Sequence, residues 1–117
     1  MSLITSGTLM LKCAAFNNQT GQIQMFNVNE YFDGKVKSIA FTKDGDKATI
    51  GVMAAGEYEF GTDTIEYMTL VSGSMAVILP GETAWKDIAI NETFILDANV
   101  KFKVKLSKDS SYLCVYK

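Results

Sequence analysis

Short stretches of alternating apolar and polar residues, separated by turn residues, follow one another along most of the chain. Residues 100–106 are the clearest case, because apolar side chains alternate with Lys101, Lys103 and Lys105. This period of two places the apolar side chains on one face of a strand and the lysines on the other. We predict roughly eight or nine such strands and no amphipathic helix, a pattern typical of an all-β sandwich or barrel. Asp44-Gly45 predicts a tight hairpin, and residues 29–34 predict a turn.

The chain divides into two parts that differ in pattern. Its 117 residues are the length of one domain. Residues 26–117 carry the strand pattern, and we interpret them as a single β domain. Residues 1–25 form an N-terminal arm, part of which we interpret as vector-derived. Leu9, Leu11 and Cys13 alternate with other residues in this arm, which weakly predicts a strand that pairs with an exposed sheet edge.

Two absences restrict the chemistry of this protein. The chain contains no histidine and no arginine, since all 11 basic residues are lysines. It therefore lacks the commonest metal ligand and the usual acid–base group near neutral pH. Without a guanidinium group, phosphate must be bound by lysine, backbone N–H or hydroxyl groups. The net charge of −2 gives no basic surface for nucleic acid or an anionic membrane. We expect no metal, nucleic-acid or membrane partner.

Cysteine usage and hydropathy indicate the compartment. Cys13 and Cys114 lie far apart and belong to no Cys-x-x-Cys motif, so we expect reduced thiols that serve packing. No apolar run approaches the ~20 residues of a membrane-spanning helix, and the first residues lack the pattern of a secretory signal. We expect a cytoplasmic protein.

Residues 51–73 resemble a known motif. They read GVMAAGEYEFGTDTIEYMTLVSG, and they resemble the first motif of the cupins, in which a glycine is followed by two histidines, a glutamate and a second glycine. Glu66 and Gly73 have the spacing of the last two motif residues. Counting forward from the first glycine puts the histidine positions at Glu57 and Glu59.

Counting back from Glu66 puts the histidine positions near Phe60 and Thr62 instead. Residues 91–102 look like the second cupin motif, with Phe102 at the position of a third histidine. We prefer this alignment because it places the three side chains on the apolar faces, which must point into a barrel. The resemblance implies a jelly-roll barrel of the cupin type without the usual metal ligands.

Four segments carry a closer resemblance. They are NEYFDGKVKSIAF, GVMAAGEYEF, EYMTLVSGSMAVILPG with TAW, and SSYLCVYK. In this order they are similar to segments of the pyrimidine/purine nucleoside phosphorylases, a family of small bacterial cupins, over residues 26–117. Asn91 stands where the family tends to have glycine, and Asp97 where it tends to have proline. The resemblance implies that phosphate, as co-substrate and without a cofactor, cleaves purine and pyrimidine nucleosides to the free base and ribose 1-phosphate.

Glu66 is the candidate catalytic residue, because this reaction needs acid assistance for the departing base and the chain has no histidine. Its alternation partners Met68 and Leu70 are apolar. A carboxyl group on such a face would be desolvated, which raises its pKa. The alternative is a glutamate that faces solvent at the mouth of the barrel.

Aromatic, hydroxyl and ammonium groups are the candidates for substrate binding. Stacking on rings tolerates every base, hydroxyl groups can donate hydrogen bonds, and lysines can hold phosphate as point charges. The candidates for nucleoside binding are Tyr58, Phe60, Thr62, Trp85, Phe102 and Tyr116. The candidates for phosphate binding are Lys35 and Lys37. The alternatives are ordinary core packing for the rings and a solvated pair for the two lysines.

Two other functions stay open. One is a non-catalytic module that binds a small ligand in the mouth of the barrel. The other is a metal-dependent cupin enzyme, which the missing histidines disfavour because the open non-haem iron site needs two imidazoles. By analogy with small cupins, we expect a homodimer that pairs through sheet edges.

Overall fold

Strands make up the regular structure of the described part of the chain. The computed structural model describes the backbone of residues 9–10 and the whole of residues 26–117. No helix occurs in this part. The strands are β1 (Leu9–Met10), β2 (Val28–Tyr31), β3 (Val36–Lys43), β4 (Asp46–Met53), β5 (Gly56–Gly61), β6 (Glu66–Ser72), β7 (Met75–Ile78), β8 (Lys86–Ile88), β9 (Thr93–Leu96), β10 (Lys101–Leu106) and β11 (Ser110–Tyr116).

The strands form two sheets that pack face to face. The five-stranded sheet has the order β1-β5-β10-β7-β8, and the six-stranded sheet has the order β2-β3-β4-β11-β6-β9. Only β1 and β5 run parallel among these pairs. The sheets do not join into a closed barrel. The predicted all-β jelly roll is confirmed, in the form of an open sandwich.

The inner faces of both sheets form one apolar core. Along β10, Phe102, Val104 and Leu106 are buried while the three lysines are exposed, as the alternation predicts. Each large apolar side chain buried in this way contributes about 1.5–3 kcal/mol to stability. The core therefore fixes which face of every strand points inward.

Two turns show how backbone geometry decides the ends of strands. Asp44 and Gly45 have φ angles of 50° and 89°, which confirms the predicted hairpin between β3 and β4. The predicted turn over residues 29–34 is wrong in its first half, because β2 extends to Tyr31. Hydrogen bonding to β3 outweighs the weak strand propensity of these residues. The chain reverses over Phe32 to Gly34 instead.

The arm contributes one short strand. Leu9–Met10 pairs with Phe60 and Gly61 of β5, at the edge of the five-stranded sheet. The other residues of the predicted arm, Cys13 included, lie outside the described residues. In the part of the chain that the structure describes, we find no helix with the length and hydropathy needed to cross a membrane.

Candidate functional site

Glu66 begins β6, and its side chain is fully buried in the sandwich. Met68 and Leu70 are buried on the same face, so the solvent-facing alternative is wrong. The thiol of Cys114 donates a hydrogen bond to Oε1 over 3.5 Å, whereas Oε2 has no partner. Burial raises the pKa of Glu66 to about 8, the Cys114 hydrogen bond opposes this rise, and the charge of Asp63 adds to it. At pH 7 the group is therefore a neutral carboxylic acid.

Aromatic rings line the opposing sheet. The Phe60 ring on β5 lies 5.7 Å from that of Phe102 on β10 and 6.1 Å from that of Tyr58. Phe94 approaches from the other sheet, with its centroid 6.4 Å from the Phe102 ring. The rings of Tyr58, Phe60 and Phe102 thus form a continuous aromatic surface, and all three are also part of the core.

Phe32 adds a ring that sequence reasoning missed. Its centroid lies 5.0 Å from that of Tyr58 and 5.5 Å from that of Phe60. Phe32, Asp33 and Gly34 all have positive φ angles, of 53°, 58° and 85°. This conformation is uncommon for bulky residues and costs of order 1–3 kcal/mol. The strained turn is what carries the ring onto the aromatic surface.

Two predicted hydroxyl groups already have partners. Thr62 donates to the Asp97 carbonyl oxygen over 2.6 Å and accepts a hydrogen bond from the Val100 N–H over 3.1 Å. The Tyr116 hydroxyl lies 3.1 Å from the Thr49 hydroxyl. Burial is the main cause that raises the pKa of Tyr116, so the phenol stays protonated. Both predicted residues line the interior, where their hydrogen bonds also hold strands and loops together.

The structure does not bring Trp85, Lys35 or Lys37 to the interior. The Trp85 ring lies outside the five-stranded sheet, with the Lys105 ammonium group 4.3 Å from its centroid. Lys35 is exposed beside the β2–β3 turn. Lys37 is on the outer face of β3, where its Nζ lies 3.6 Å from a Glu30 carboxylate oxygen. Every lysine in residues 26–117 is exposed.

The residues at the cupin-motif positions show where this interior differs from a metal-binding one. Phe60, Thr62 and Phe102, which the preferred alignment places at or near the cupin histidine positions, are all buried. The other alignment is wrong in direction, because Glu57 and Glu59 alternate with buried residues and face outward. Among the described residues, no group of three His, Cys, Asp or Glu side chains has the geometry to hold a metal ion.

Two buried polar residues of β11, the neighbour of β6, were not among the predicted site residues. Cys114 and Tyr112 are completely buried on the inner face of β11, and both belong to the core cluster. The alternation in SSYLCVYK could have placed both side chains inward. Cys114 reaches Glu66 only through the β6–β11 pairing, which a single sequence does not reveal.

Comparison with known proteins decides the family. Residues 26–116 match the sequence profile of the family described as pyrimidine/purine nucleoside phosphorylase. The chain belongs to this family. A protein named pyrimidine/purine nucleoside phosphorylase from Pseudoalteromonas atlantica is 56% identical over 92 residues, which cover 79% of this chain and 99% of the relative. The match agrees with the resemblance found over residues 26–117.

Solved structures support the fold. A Vibrio parahaemolyticus protein of unknown function superposes with a TM-score of 0.76 at 37% identity, covering 80% of this chain and 100% of that chain. The cupin domain of Schizosaccharomyces pombe Cnp3 superposes with a TM-score of 0.57 at 15% identity, covering 78% of this chain and 69% of that chain. The second likeness shows the fold alone, and it confirms the predicted cupin architecture of this phosphorylase family member.

Proposed function

We propose that the protein cleaves purine and pyrimidine nucleosides with inorganic phosphate, releasing the free base and ribose 1-phosphate without a metal ion or cofactor. The observation that carries this proposal is Glu66, a buried carboxylic acid opposite a surface of aromatic rings, in a member of the nucleoside phosphorylase family. The preferred alignment with the cupin motifs puts the buried residues Phe60, Thr62 and Phe102 near the metal-ligand positions, and these residue types support independence from metal.

Glu66 supplies the proton that the departing base needs. A phosphate oxygen forms a bond to C1′ as the C1′–N bond breaks, and the electron pair of that bond leaves with the base. Glu66 transfers its proton to the base, and the resulting carboxylate stabilises the positive charge that develops on the sugar ring. A proton from solvent then restores the acid. Because its pKa is about 8, the group is protonated at pH 7 without being too weak an acid.

The aromatic surface supports broad specificity for the base, because every base has a π-face that stacks on a ring.

Phe60 and Glu66 are 0% exposed, so a nucleoside reaches them only when the rim of the sandwich opens. The rim nearest the rings is edge strand β2 with its turn, where Tyr31 and Phe32 are half-buried. We therefore propose that substrate enters beside β2 and its turn.

Phosphate-dependent release of base tests the proposed function. Purified protein is incubated with uridine, cytidine, inosine and adenosine, with and without phosphate and with EDTA present. We expect base release only with phosphate, equal amounts of ribose 1-phosphate, and no loss of rate in EDTA. If all four nucleosides stay intact, the chain is instead a module that binds a small ligand. If EDTA stops the reaction, the proposed metal independence is wrong.

Lys35 is the better placed of the two candidate phosphate ligands, because it adjoins the turn that carries Phe32 at the proposed entrance. We expect Lys35→Gln to raise the KM for phosphate about 10- to 100-fold, the size expected for one hydrogen bond to a charged group, with a smaller effect on the KM for nucleoside. Lys37→Gln is measured in parallel. Lys43→Gln, an exposed lysine beside the Asp44-Gly45 turn, is the control. An unchanged phosphate KM in both the Lys35 and Lys37 variants rejects these residues as ligands.

We also propose a homodimer, and the outer face of the six-stranded sheet supports it better than the sheet edges. Val28, Ile39 and Ile50 are cross-strand neighbours there and are 60%, 45% and 44% exposed. Val52 and Ile95 extend this apolar face. Six strands about 4.8 Å apart make it roughly 25 Å wide, and its area of several hundred Å² is of the order that a stable dimer buries on each partner, ~800 Å².

A charge in the centre of this face tests the dimer. We expect the wild-type protein to sediment as a dimer and Ile50→Lys to sediment as a monomer, because an ammonium group at the two-fold contact would lose its hydration. Ile90→Lys, which adds the same charge at an exposed loop position, should remain a dimer. A monomeric wild-type protein, or a dimeric Ile50→Lys variant, contradicts the proposal. The predicted cytoplasmic location and the absence of nucleic-acid and membrane partners stay predictions.

A further inference from the structure

Tyr112 has a buried hydroxyl group without a hydrogen-bond partner. The residue lies in β11, near the middle of the six-stranded sheet, and its side chain is fully buried. Among the described residues, the only other buried side-chain oxygen or nitrogen atom without a partner is Oε2 of Glu66. Buried hydroxyl groups in folded proteins nearly always have a partner, so each exception needs an explanation. One explanation is a ligand that forms the missing hydrogen bond with the Tyr112 hydroxyl group.

The backbone holds the Tyr112 ring in a defined place. Gly51 is paired with Tyr112 across β4 and β11, and a β-carbon at Gly51 would lie 2.5 Å from the phenol oxygen. The ring therefore lies flat across β4, in space that exists because residue 51 has no side chain. The hydroxyl group is carried toward β3, where Ser38 is paired with Gly51.

The surroundings of this hydroxyl group are polar and lead to the rim. Ser38 is near enough to moderate the pKa of the phenol, which burial raises, although its geometry is not that of a hydrogen bond. Asn29, half-buried on edge strand β2, donates a hydrogen bond to the Ser38 hydroxyl over 3.4 Å. A row of polar side chains thus runs from the proposed entrance to Tyr112. Glu66 lies on the opposite side of β11, on β6, where it is paired with Tyr116 and contacts the Cys114 thiol.

We infer that Tyr112 binds the sugar of the nucleoside, with its O–H donating a hydrogen bond to a ribose hydroxyl group. The inference rests on the proposed function. It assigns the two parts of the nucleoside, the base and the sugar, to two ends of one site. Glu66 donates its proton to the base, and Tyr112 binds the sugar on the side of β11 where Ser38 and Asn29 lie. Ribose carries hydroxyl groups that can accept this bond, whereas no group around the Tyr112 hydroxyl accepts a hydrogen bond from it in the free protein.

Tyr112→Phe tests the inference because it removes only the hydroxyl group. We expect kcat/KM for uridine to fall about tenfold, as for the loss of one hydrogen bond between neutral groups. The same comparison is made with 2′-, 3′- and 5′-deoxyuridine. For the one analogue that lacks the contacted hydroxyl group, Tyr112→Phe and the wild type should have the same kcat/KM. The melting temperature should stay unchanged or rise, since the removed group has no partner in the free protein. Tyr67→Phe, on the outer face of β6, is the matched control and should behave as wild type.

Two results overturn the inference while leaving the proposed function intact. One is a wild-type rate with uridine in Tyr112→Phe. The other is an equal loss with uridine and all three deoxy analogues, which would indicate a general packing effect. A wild-type protein that neither binds uridine in calorimetry nor cleaves it removes the proposed function, and the inference falls with it.

Discussion

Glu66→Gln is expected to lower kcat for phosphorolysis of uridine and inosine by at least ~100-fold. General acid catalysis by a positioned side chain typically contributes 10²- to 10⁴-fold, and a glutamine amide cannot release a proton to the departing base. The side chain keeps its size, so the core around Met68 and Cys114 should stay packed. Initial rates of base release with saturating phosphate measure the effect.

Glu57→Gln is the control for this substitution, because Glu57 is an exposed carboxylate on the outer face of β5. It should retain wild-type kcat. The wild-type kcat should also fall as the pH rises through about 8, where Glu66 loses its proton. A Glu66→Gln variant that keeps more than a tenth of the wild-type kcat would remove Glu66 from the chemistry.

The same pKa makes the stability of the fold depend on pH. Folding raises the pKa of Glu66 from 4.5 to about 8, so between these values the folded chain holds a proton that the unfolded chain has released. The contribution of this proton to stability is complete below pH 4.5 and is lost as the pH rises through about 8. In Glu66→Gln this loss is absent, and urea unfolding at several pH values shows the difference.

Gly73→Ala is expected to destabilise the fold by roughly 3 kcal/mol or more. Gly73 has a φ of 99°, and a β-carbon there would clash with the hydroxyl group of Ser110 and lie 2.6 Å from its Cα. Ser110 cannot yield easily, because its hydroxyl group accepts a hydrogen bond from the Ser74 N–H over 3.0 Å and lies 2.9 Å from the Lys108 carbonyl oxygen. The substitution therefore adds a backbone clash to a strained φ. The free energy of unfolding in urea measures the effect.

Gly81→Ala separates the two causes. Gly81 has a φ of 80°, but no atom lies within 4 Å of a β-carbon at this position. Its substitution should cost only the ~1–2 kcal/mol of a left-handed backbone for an L-residue. If both alanine variants lose the same free energy of unfolding, close packing against Ser110 is not what requires glycine at position 73.

The alternation of apolar and polar residues predicts, strand by strand, which side chains point inward and which point outward. The period of two in β6 and β10 places Glu66 and Phe102 inside and the β10 lysines outside, because burial of one face fixes the direction of every side chain. Even the polar character of Glu66 does not override this pattern. The raised pKa then follows from burial.

Contacts between strands that are distant in sequence cannot be read from alternation. Cys114 contacts Glu66 across 48 positions, and the Phe32 ring reaches Tyr58 only because its turn adopts three positive φ angles. Trp85 shows the converse error. Its residue type favours a binding surface, yet the ring lies on the outer side of the five-stranded sheet, against the exposed Lys105.

A departure from the family pattern has a backbone explanation. The resemblance places Asn91 at a position where glycine is expected, and the φ of Asn91, 72°, is in the left-handed region. Asparagine is among the few other residues that tolerate this region, so the turn before β9 keeps its shape. Nothing in the described contacts explains Asp97 in place of the proline that the family tends to have.

NMR titration of the carboxyl carbons of the glutamate side chains, in protein labelled with ¹³C at these positions, tests the buried acid most directly. We predict one glutamate signal with a pKa near 8, well above the usual value of 4.5, and its disappearance in Glu66→Gln. If every glutamate of the wild-type chain titrates near 4.5, the interior holds no neutral carboxylic acid at pH 7, and the proposed chemistry of this sandwich is wrong.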